Sequence, residues 1–494
     1  MQNIHTTKIT TLSKRSLGAH KWLGLFVSAF MYIICLSGTV AVFHQEIERW
    51  EQPQVQESTN VNINTIGKAY DTFVDKYSQD TEHMHVVFPS SGIPRLVVEN
   101  DDIAHFVNND GSLGEIERPH WSKMLVDLHL YLHLPKNFGM VLVSAMGALL
   151  CGMIISGFFA HPRILKDAFR FRRGGTGLQE NIDLHNRLSV WAAPFHLMIG
   201  ITGAYFGLAG LLVIVMSQAF YAGDTQAVID QVFTPEPTLE QELQRPNIEQ
   251  AITYVRTNDP DGKMLFLTVH EPNTPGQFIE IYVQQPGRLI YSENYRFDVS
   301  GNFLNTGDYK NGELGKQAIY SIYRLHFGDF NGPAGKLLYF VLGLMLTIVS
   351  ATGINIWLNK RKTKDIINYC WPAIVWGSVL ALVISAWLNL FINMRLDFTV
   401  WLVIVGTMVY GVWQKHEETF LIHIKTVLGA SILLFLLSYA ATFGIHSFNL
   451  ASLQINLPLL IFAIALLVIS MQKRINRTPI VVVSQPINNH HQRR

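Results

Sequence analysis

Eight apolar runs, at about 22–43, 137–160, 188–217, 336–358, 369–389, 397–413, 420–443 and 454–471, constrain this chain more than any other feature. Each approaches the roughly 20 residues that a helix needs to cross a bilayer, and the sixth is the shortest. In hydrocarbon every backbone polar group must be satisfied within the protein, so runs of this length read as membrane-spanning helices. Composition agrees: 49% of the 494 residues are hydrophobic and 15% are charged, against about a quarter charged in soluble domains. A net charge of +1 gives no basis for nucleic-acid binding. Cys35, Cys151 and Cys370 lie in or beside apolar runs, with neither metal-ligand spacing nor a disulfide framework. No small-residue cleavage site follows the first run, which is therefore expected to be a retained span.

Lysine and arginine in short loops set orientation. They gather in four places: Lys8, Lys14, Arg15 and Lys21; Arg163, Lys166, Arg170, Arg172 and Arg173; Lys360, Arg361, Lys362 and Lys364; and Lys473, Arg474 and Arg477. With eight spans all four fall on one side, which places both termini in the cytoplasm. Two polar segments, 45–118 and 220–318, then lie outside. In the first, Ile66, Ala69, Phe73 and Tyr77 have helical spacing over 65–77, and strands are expected at 85–88, 95–98 and 104–107. The second repeats that order, with a helix at 248–255 and strands at 264–269, 277–283 and 288–291. Neither segment carries a nucleophile–base motif. His83, Met84 and His85 could touch a metal outside, with His83 and His85 on one face of a strand, but a solvated strand face is the commoner reading of such a pair.

The first four spans repeat. His20 precedes Ser37-Gly38, and His185 precedes Thr202-Gly203, with 18 residues from histidine to glycine both times. Leu128-His129 precedes Gly139, Gly147 and Ser156-Gly157, while Leu325-His326 precedes Gly335, Gly343 and Thr352-Gly353. Span–module–span therefore occurs twice in parallel orientation, and the expected packing is a four-helix bundle around a pseudo-two-fold axis along the membrane normal. Small residues at repeated positions suit close helix approach.

Ionisable side chains in or beside spans are costly and point to function. The repeat makes His20 equivalent to His185 at the inner mouth and His129 equivalent to His326 at the outer mouth. Two facing neutral imidazoles are what a six-coordinate b-type haem requires, so two haems are expected. His196 lies 11 residues after His185, about 1100° and about 16 Å along a continuous helix, which puts it on nearly the same face. It competes for the outer haem, as does His133, one turn after His129. A lone histidine at a span end is more often an interfacial residue; the repeated placement is what favours ligation, and His44 and His161 lack a repeat partner. A transporter would show midplane acids or broken helices around a central site, and no such acid occurs in spans one to four.

The stretches His20-Lys-Trp-Leu-Gly-Leu, Asp127-Leu-His129, Asp183-Leu-His185, Pro194-Phe-His196-Leu-Met-Ile-Gly-Ile-Thr-Gly203, Leu325-His326-Phe-Gly328 and Thr352-Gly-Ile-Asn-Ile-Trp357 resemble the PepSY-associated transmembrane helix family over about 14–362. The resemblance implies a bacterial inner-membrane protein with PepSY modules in the periplasm. It further implies haem b, and reduction of a ferric siderophore or other ferric chelate to release ferrous iron. The alternative is a non-enzymatic, membrane-anchored PepSY protein that binds or regulates a periplasmic partner such as a protease. Ser189 stands where the first repeat has Gly24. Spans five to eight, with His423 and His446, are additional: a partner-docking or quinone-facing bundle, or an anchor. With no Gly-rich nucleotide loop and short cytoplasmic loops, electrons would come from a quinol or a separate cytosolic reductase.

The expected fold class is thus a mainly α membrane protein with two small α+β modules. Its parts are span one (14–44), module one (45–118), span two (119–161), span three (180–218), module two (219–318), span four (319–359), a four-helix extension (366–472) and a tail (473–494).

Overall fold

The computed structural model describes residues 2–77, 81–169, 176–392 and 397–476, with side chains from residue 11 onward. Lys8, Arg170, Arg172, Arg173, Arg477 and the tail 477–494 therefore lie outside the described side chains. The chain opens with α1 (Gln2–Ala41), α2 (His44–Glu51) and α3 (Ile63–Tyr77). Strands β1 (His83–Val87), β2 (Val97–Asn100), β3 (Ala104–Val107) and β4 (Leu113–Ile116) follow. Next come α4 (His120–Tyr131), α5 (Lys136–Ala160), the short α6 (Ile164–Asp167), α7 (Gly177–Trp191), α8 (Ala193–Phe220), the short α9 (Thr225–Ile229) and α10 (Ile248–Asn258). Strands β5 (Lys263–His270), β6 (Phe278–Gln284), β7 (Glu293–Phe297) and β8 (Phe303–Thr306) lead to α11 (Leu314–Phe327) and α12 (Gly332–Lys360). The extension is α13 (Ile366–Ile392), α14 (Asp397–Gln414), α15 (Glu417–Phe443) and α16 (Leu450–Ile475).

Among the described residues eight helices are long and apolar enough to cross a membrane, and their positions match the eight runs. The protein is a multi-pass membrane protein by length and composition of its helices. The least apolar is Asp397–Gln414, at 18 residues and a mean hydropathy of 1.2. In the first half α1 packs on α5 and α12, α5 on α8, and α7 on α12. Close approach is visible where a Cβ on Gly147 would meet Gly200 O at 2.9 Å. The extension covers α1, α2, α4 and α12. Its hydrogen bonds to them include Tyr32 Oη to Val375 O (2.9 Å), Trp121 Nε1 to Ser385 Oγ (3.0 Å) and Trp50 Nε1 to Asn456 Oδ1 (2.9 Å).

The two polar segments do not form two sheets. They form one antiparallel sheet of eight strands in the order β4-β3-β2-β1-β5-β6-β7-β8, joined where β1 pairs with β5, His83 opposite His270 and Val87 opposite Phe266. Each half supplies one helix to the same face. Ile66, Tyr70 and Phe73 of α3, and Ile252 and Val255 of α10, bury against Met84, Val86, Val98, Leu267, Val269, Ile281 and Phe297. Burial of this apolar set, at about 25 cal/mol per Å², holds the halves together. Residues 288–291, where a strand is expected, are irregular and end in a bend, and the strand lies at Glu293–Phe297 instead. Strands β4 and β8 are not predicted by periodicity; both are short edges, β4 mostly half-buried and β8 mostly exposed, with no clear alternation.

The candidate functional site: two histidine pairs

Each candidate histidine stands on a helix whose end is built locally. α4 ends where Leu132 adopts a left-handed backbone (φ 56°), and α11 ends at left-handed Gly328 (φ 75°), so His129 and His326 both occupy the last turn of a helix that precedes a span. His185 lies on α7, begun by a capping box in which the Thr176 hydroxyl accepts from Gln179 N–H. His20 lies on the continuous helix α1.

The rings meet in two pairs. His20 and His185 have ring centroids 6.3 Å apart, and His129 and His326 have theirs 6.1 Å apart. His129 sits against Gly38, 18 residues from His20 on α1, so the pairs are separated by about 27 Å along that helix. That is close to the roughly 30 Å of a bilayer's hydrocarbon core.

All four rings are held by the same nitrogen. The Nδ1–H of His20 donates to Met153 O (3.0 Å), that of His129 to Ile34 O (2.9 Å) and that of His185 to Val349 O (3.1 Å). In His326, Nδ1–H donates to Thr202 Oγ1 (2.9 Å), whose own hydroxyl donates to Met198 O (2.8 Å). This selects the tautomer with a free Nε2 lone pair, the usual support for a metal-ligating imidazole.

Four Ser/Thr-Gly pairs make the cradle. A Cβ on Gly38 would lie 2.5 Å from His129 Cε1, on Gly157 3.3 Å from His20 Cε1, on Gly203 3.3 Å from His326 Cε1, and on Gly353 3.4 Å from His185 Cε1. In three of the four the preceding hydroxyl also reaches the ring: Ser156 to His20 (3.3 Å), Thr352 to His185 (3.2 Å) and Thr202 to His326 (2.9 Å). Ser37 instead donates to Ile33 O (2.8 Å).

A family model described as the PepSY-associated TM region matches residues 17–360, about seven-tenths of the chain. The chain belongs to the PepSY-associated TM region family. The match ends at α12, so helices α13 to α16 lie beyond the family region. A curated relative, the uncharacterized protein PA4219 of Pseudomonas aeruginosa, is 24% identical over 255 residues, 49% of this chain. The chain spans 64% of that relative's length.

In this PepSY-associated protein His196 and His133 join neither pair. The helix breaks between α7 and α8: Ala192 leaves helical geometry (φ −103°, ψ 8°) and Pro194 opens the next helix. The continuous-helix relation between His185 and His196 therefore does not hold, and buried His196 donates from Nε2 to Leu342 O (3.3 Å). His133 has a left-handed backbone (φ 55°), and its Nε2–H donates to Met124 O (2.8 Å). Near the outer pair, Arg324 is spent on the carbonyls of Arg288, Ile290 and Asp329, and Trp121 donates to Ser385 of the extension. Tyr323 stacks on Phe327 (4.1 Å) and meets Tyr291 (4.8 Å), which links α11 to the bend that precedes β7.

Proposed function

We propose that this protein carries electrons across the membrane through two b-type haems and reduces a ferric chelate on the side of the sheet. The observation that carries the reading is the separation of the rings. With a metal–nitrogen bond of about 2.0 Å, and about 1.1 Å from nitrogen to ring centre, two imidazoles that both reached one metal ion would have centroids up to about 6.2 Å apart. Two imidazoles in direct hydrogen bond would stand nearer, at about 5 Å. The observed 6.3 and 6.1 Å fit the first case. So do the shared Nδ1 anchors and the glycines that leave each ring edge free.

His20 and His185 would hold the inner group, and His129 and His326 the outer. When bound, such groups supply one-electron storage in iron, tuned by axial ligand, burial and hydrogen bonding. The protein's own part is to fix ring orientation through Met153, Ile34, Val349 and Thr202, and to exclude water by packing α1, α5, α8 and α12. The basic residues near the ends of α1, α5, α12 and α16 support an orientation with both termini in the cytoplasm, and a bacterial inner-membrane location is what the family resemblance implies. The four-helix region reads as a duplicated unit, because matched histidines meet matched Ser/Thr-Gly pairs.

Purified protein is expected to show a b-type α-band in a reduced-minus-oxidised spectrum and two haems per chain. His20→Ala or His185→Ala should remove one haem, and His129→Ala or His326→Ala the other. His196→Ala and His133→Ala should retain both. Absence of the α-band overturns the reading and leaves the sheet as a module that binds a partner.

A further inference from the structure

A third group of histidines lies outside the bundle, on the sheet. His83 and His85 alternate along β1 with Met84, which points to the apolar core, so both rings share the opposite face. Across the seam His270 of β5 is the register partner of His83, and Thr268 that of His85. The ring centroids of His83 and His85 are 5.9 Å apart, and those of His83 and His270 are 5.3 Å apart. Neither half of the chain contains this group; pairing of β1 with β5 creates it.

Each ring is engaged on one nitrogen and open on the other. His270 Nε2–H donates to Glu280 Oε2 (3.2 Å). His85 Nδ1 bonds Thr268 Oγ1 (2.9 Å), and His83 Nδ1 faces Asp101 Oδ1 at 3.7 Å. Asp101 is itself fixed by the Thr81 hydroxyl (2.8 Å) and Glu82 N–H (2.9 Å). Glu280 is fixed by Arg296 Nε (2.8 Å) and the Tyr282 hydroxyl (2.5 Å). Two of the three imidazoles are hydrogen-bonded through one nitrogen to a carboxylate or hydroxyl and the third faces a carboxylate, which approaches the outer-shell arrangement of a transition-metal site.

We propose that His83, His85 and His270 bind one divalent first-row transition-metal ion at the seam of the two half-sheets, with Glu280, Asp101 and Thr268 as positioning residues. Imidazole ligands suit zinc, copper, nickel and ferrous iron and do not suit calcium or magnesium. Among the described residues no three such side chains already converge at coordination distance. Loading therefore turns the His83 and His85 rings about their side-chain bonds, while the strand register holds the three backbone positions. The His83 side chain is 40% exposed, which gives the ion an entry and leaves a coordination position open to solvent.

The site stands independently of the haem reading, and its test uses the full-length, untagged protein in detergent with Zn2+, a redox-silent probe, followed by titration calorimetry. One Zn2+ per chain at micromolar affinity or tighter is expected, with His83→Ala, His85→Ala and His270→Ala each weakening it more than 30-fold. Glu280→Gln should weaken it about 10- to 100-fold, and His20→Ala not at all. Zinc absorption spectroscopy should report three imidazole nitrogens. Because His83 is solvent-facing, His83→Ala leaves the fold intact, and unchanged amide exchange in β1 and β5 verifies that. Equal affinity in the wild type and the triple variant, or no saturable site, overturns the proposal.

Discussion

Gly38 and Gly24 share helix α1 and differ in what a side chain would meet. A Cβ on Gly38 would lie 2.5 Å from His129, whereas nothing stands within 4 Å of one on Gly24. Gly38→Ala is therefore expected to displace His129, to cost about 1–3 kcal/mol by overpacking, and to abolish the proposed outer haem while sparing the proposed inner one. Gly24→Ala should keep both and gain up to about 1 kcal/mol from helix propensity. Haem content and thermal midpoint of the two variants check this. A titration prediction belongs to Glu280. Burial pushes its carboxyl up, but hydrogen bonds from His270, Tyr282 and Arg296 and the arginine's charge outweigh that and hold it at about 2, below its ordinary 4.5. A lowered folded value stabilises the fold above the unfolded value and loses that contribution as pH falls from 4.5 toward 2. The contribution at neutral pH is at most about 3 kcal/mol. Unfolding of the sheet, followed by hydrogen exchange, should accelerate through that window in the wild type and much less so in Glu280→Gln. The four Ser/Thr-Gly pairs were visible in the sequence as a repeat. Their role as ring cradles was not, since the ring each glycine faces lies on another helix.

At the scale of elements, β1 and β5 bring two segments into one sheet although about 175 residues separate them. Val269 is fully buried and pairs with Met84 across the seam. Val269→Ala should cost about 2 kcal/mol or more through cavity formation. Amide exchange is expected to rise in both Val97–Asn100 and Phe278–Gln284, since the halves share one core. A rise confined to β5 and β6 would show that the halves open independently. The helices α3 and α10 and most inner strands were legible from periodicity, because one buried face imposes alternation. Edge strands without a fully buried face carry no such signal, so periodicity misses β4 and β8 and places β7 too early. Likewise, Pro194 was present in the sequence, but the break it accompanies at Ala192 is what separates His196 from the His185 face.

For the whole molecule, helices α13 to α16 lie outside the family region yet cover α1, α2, α4 and α12. Asn389 Nδ2 reaches Glu51 Oε1 (3.3 Å), and Tyr439 Oη donates to Trp50 O (2.7 Å). Truncation after residue 362 would strip these partners from buried groups, each worth about 1–3 kcal/mol when left unsatisfied. The truncated protein is expected to melt well below the full chain and to retain both haems, because no described histidine of the extension joins either pair. Loss of the inner haem in that protein would show that the extension builds the site. Span number, the basic ends and the repeated histidines belong to the sequence by itself, because hydrophobic length, charge and spacing are local properties of the chain. The repeat already pointed to His20 with His185, but tertiary structure alone decided that His129 meets His326 rather than His196 or His133, because that pairing depends on helix breaks and on contacts between segments far apart in sequence. For the same reason it alone joined His270 to His83 and His85, through a strand pairing that neither half of the chain encodes by its own pattern.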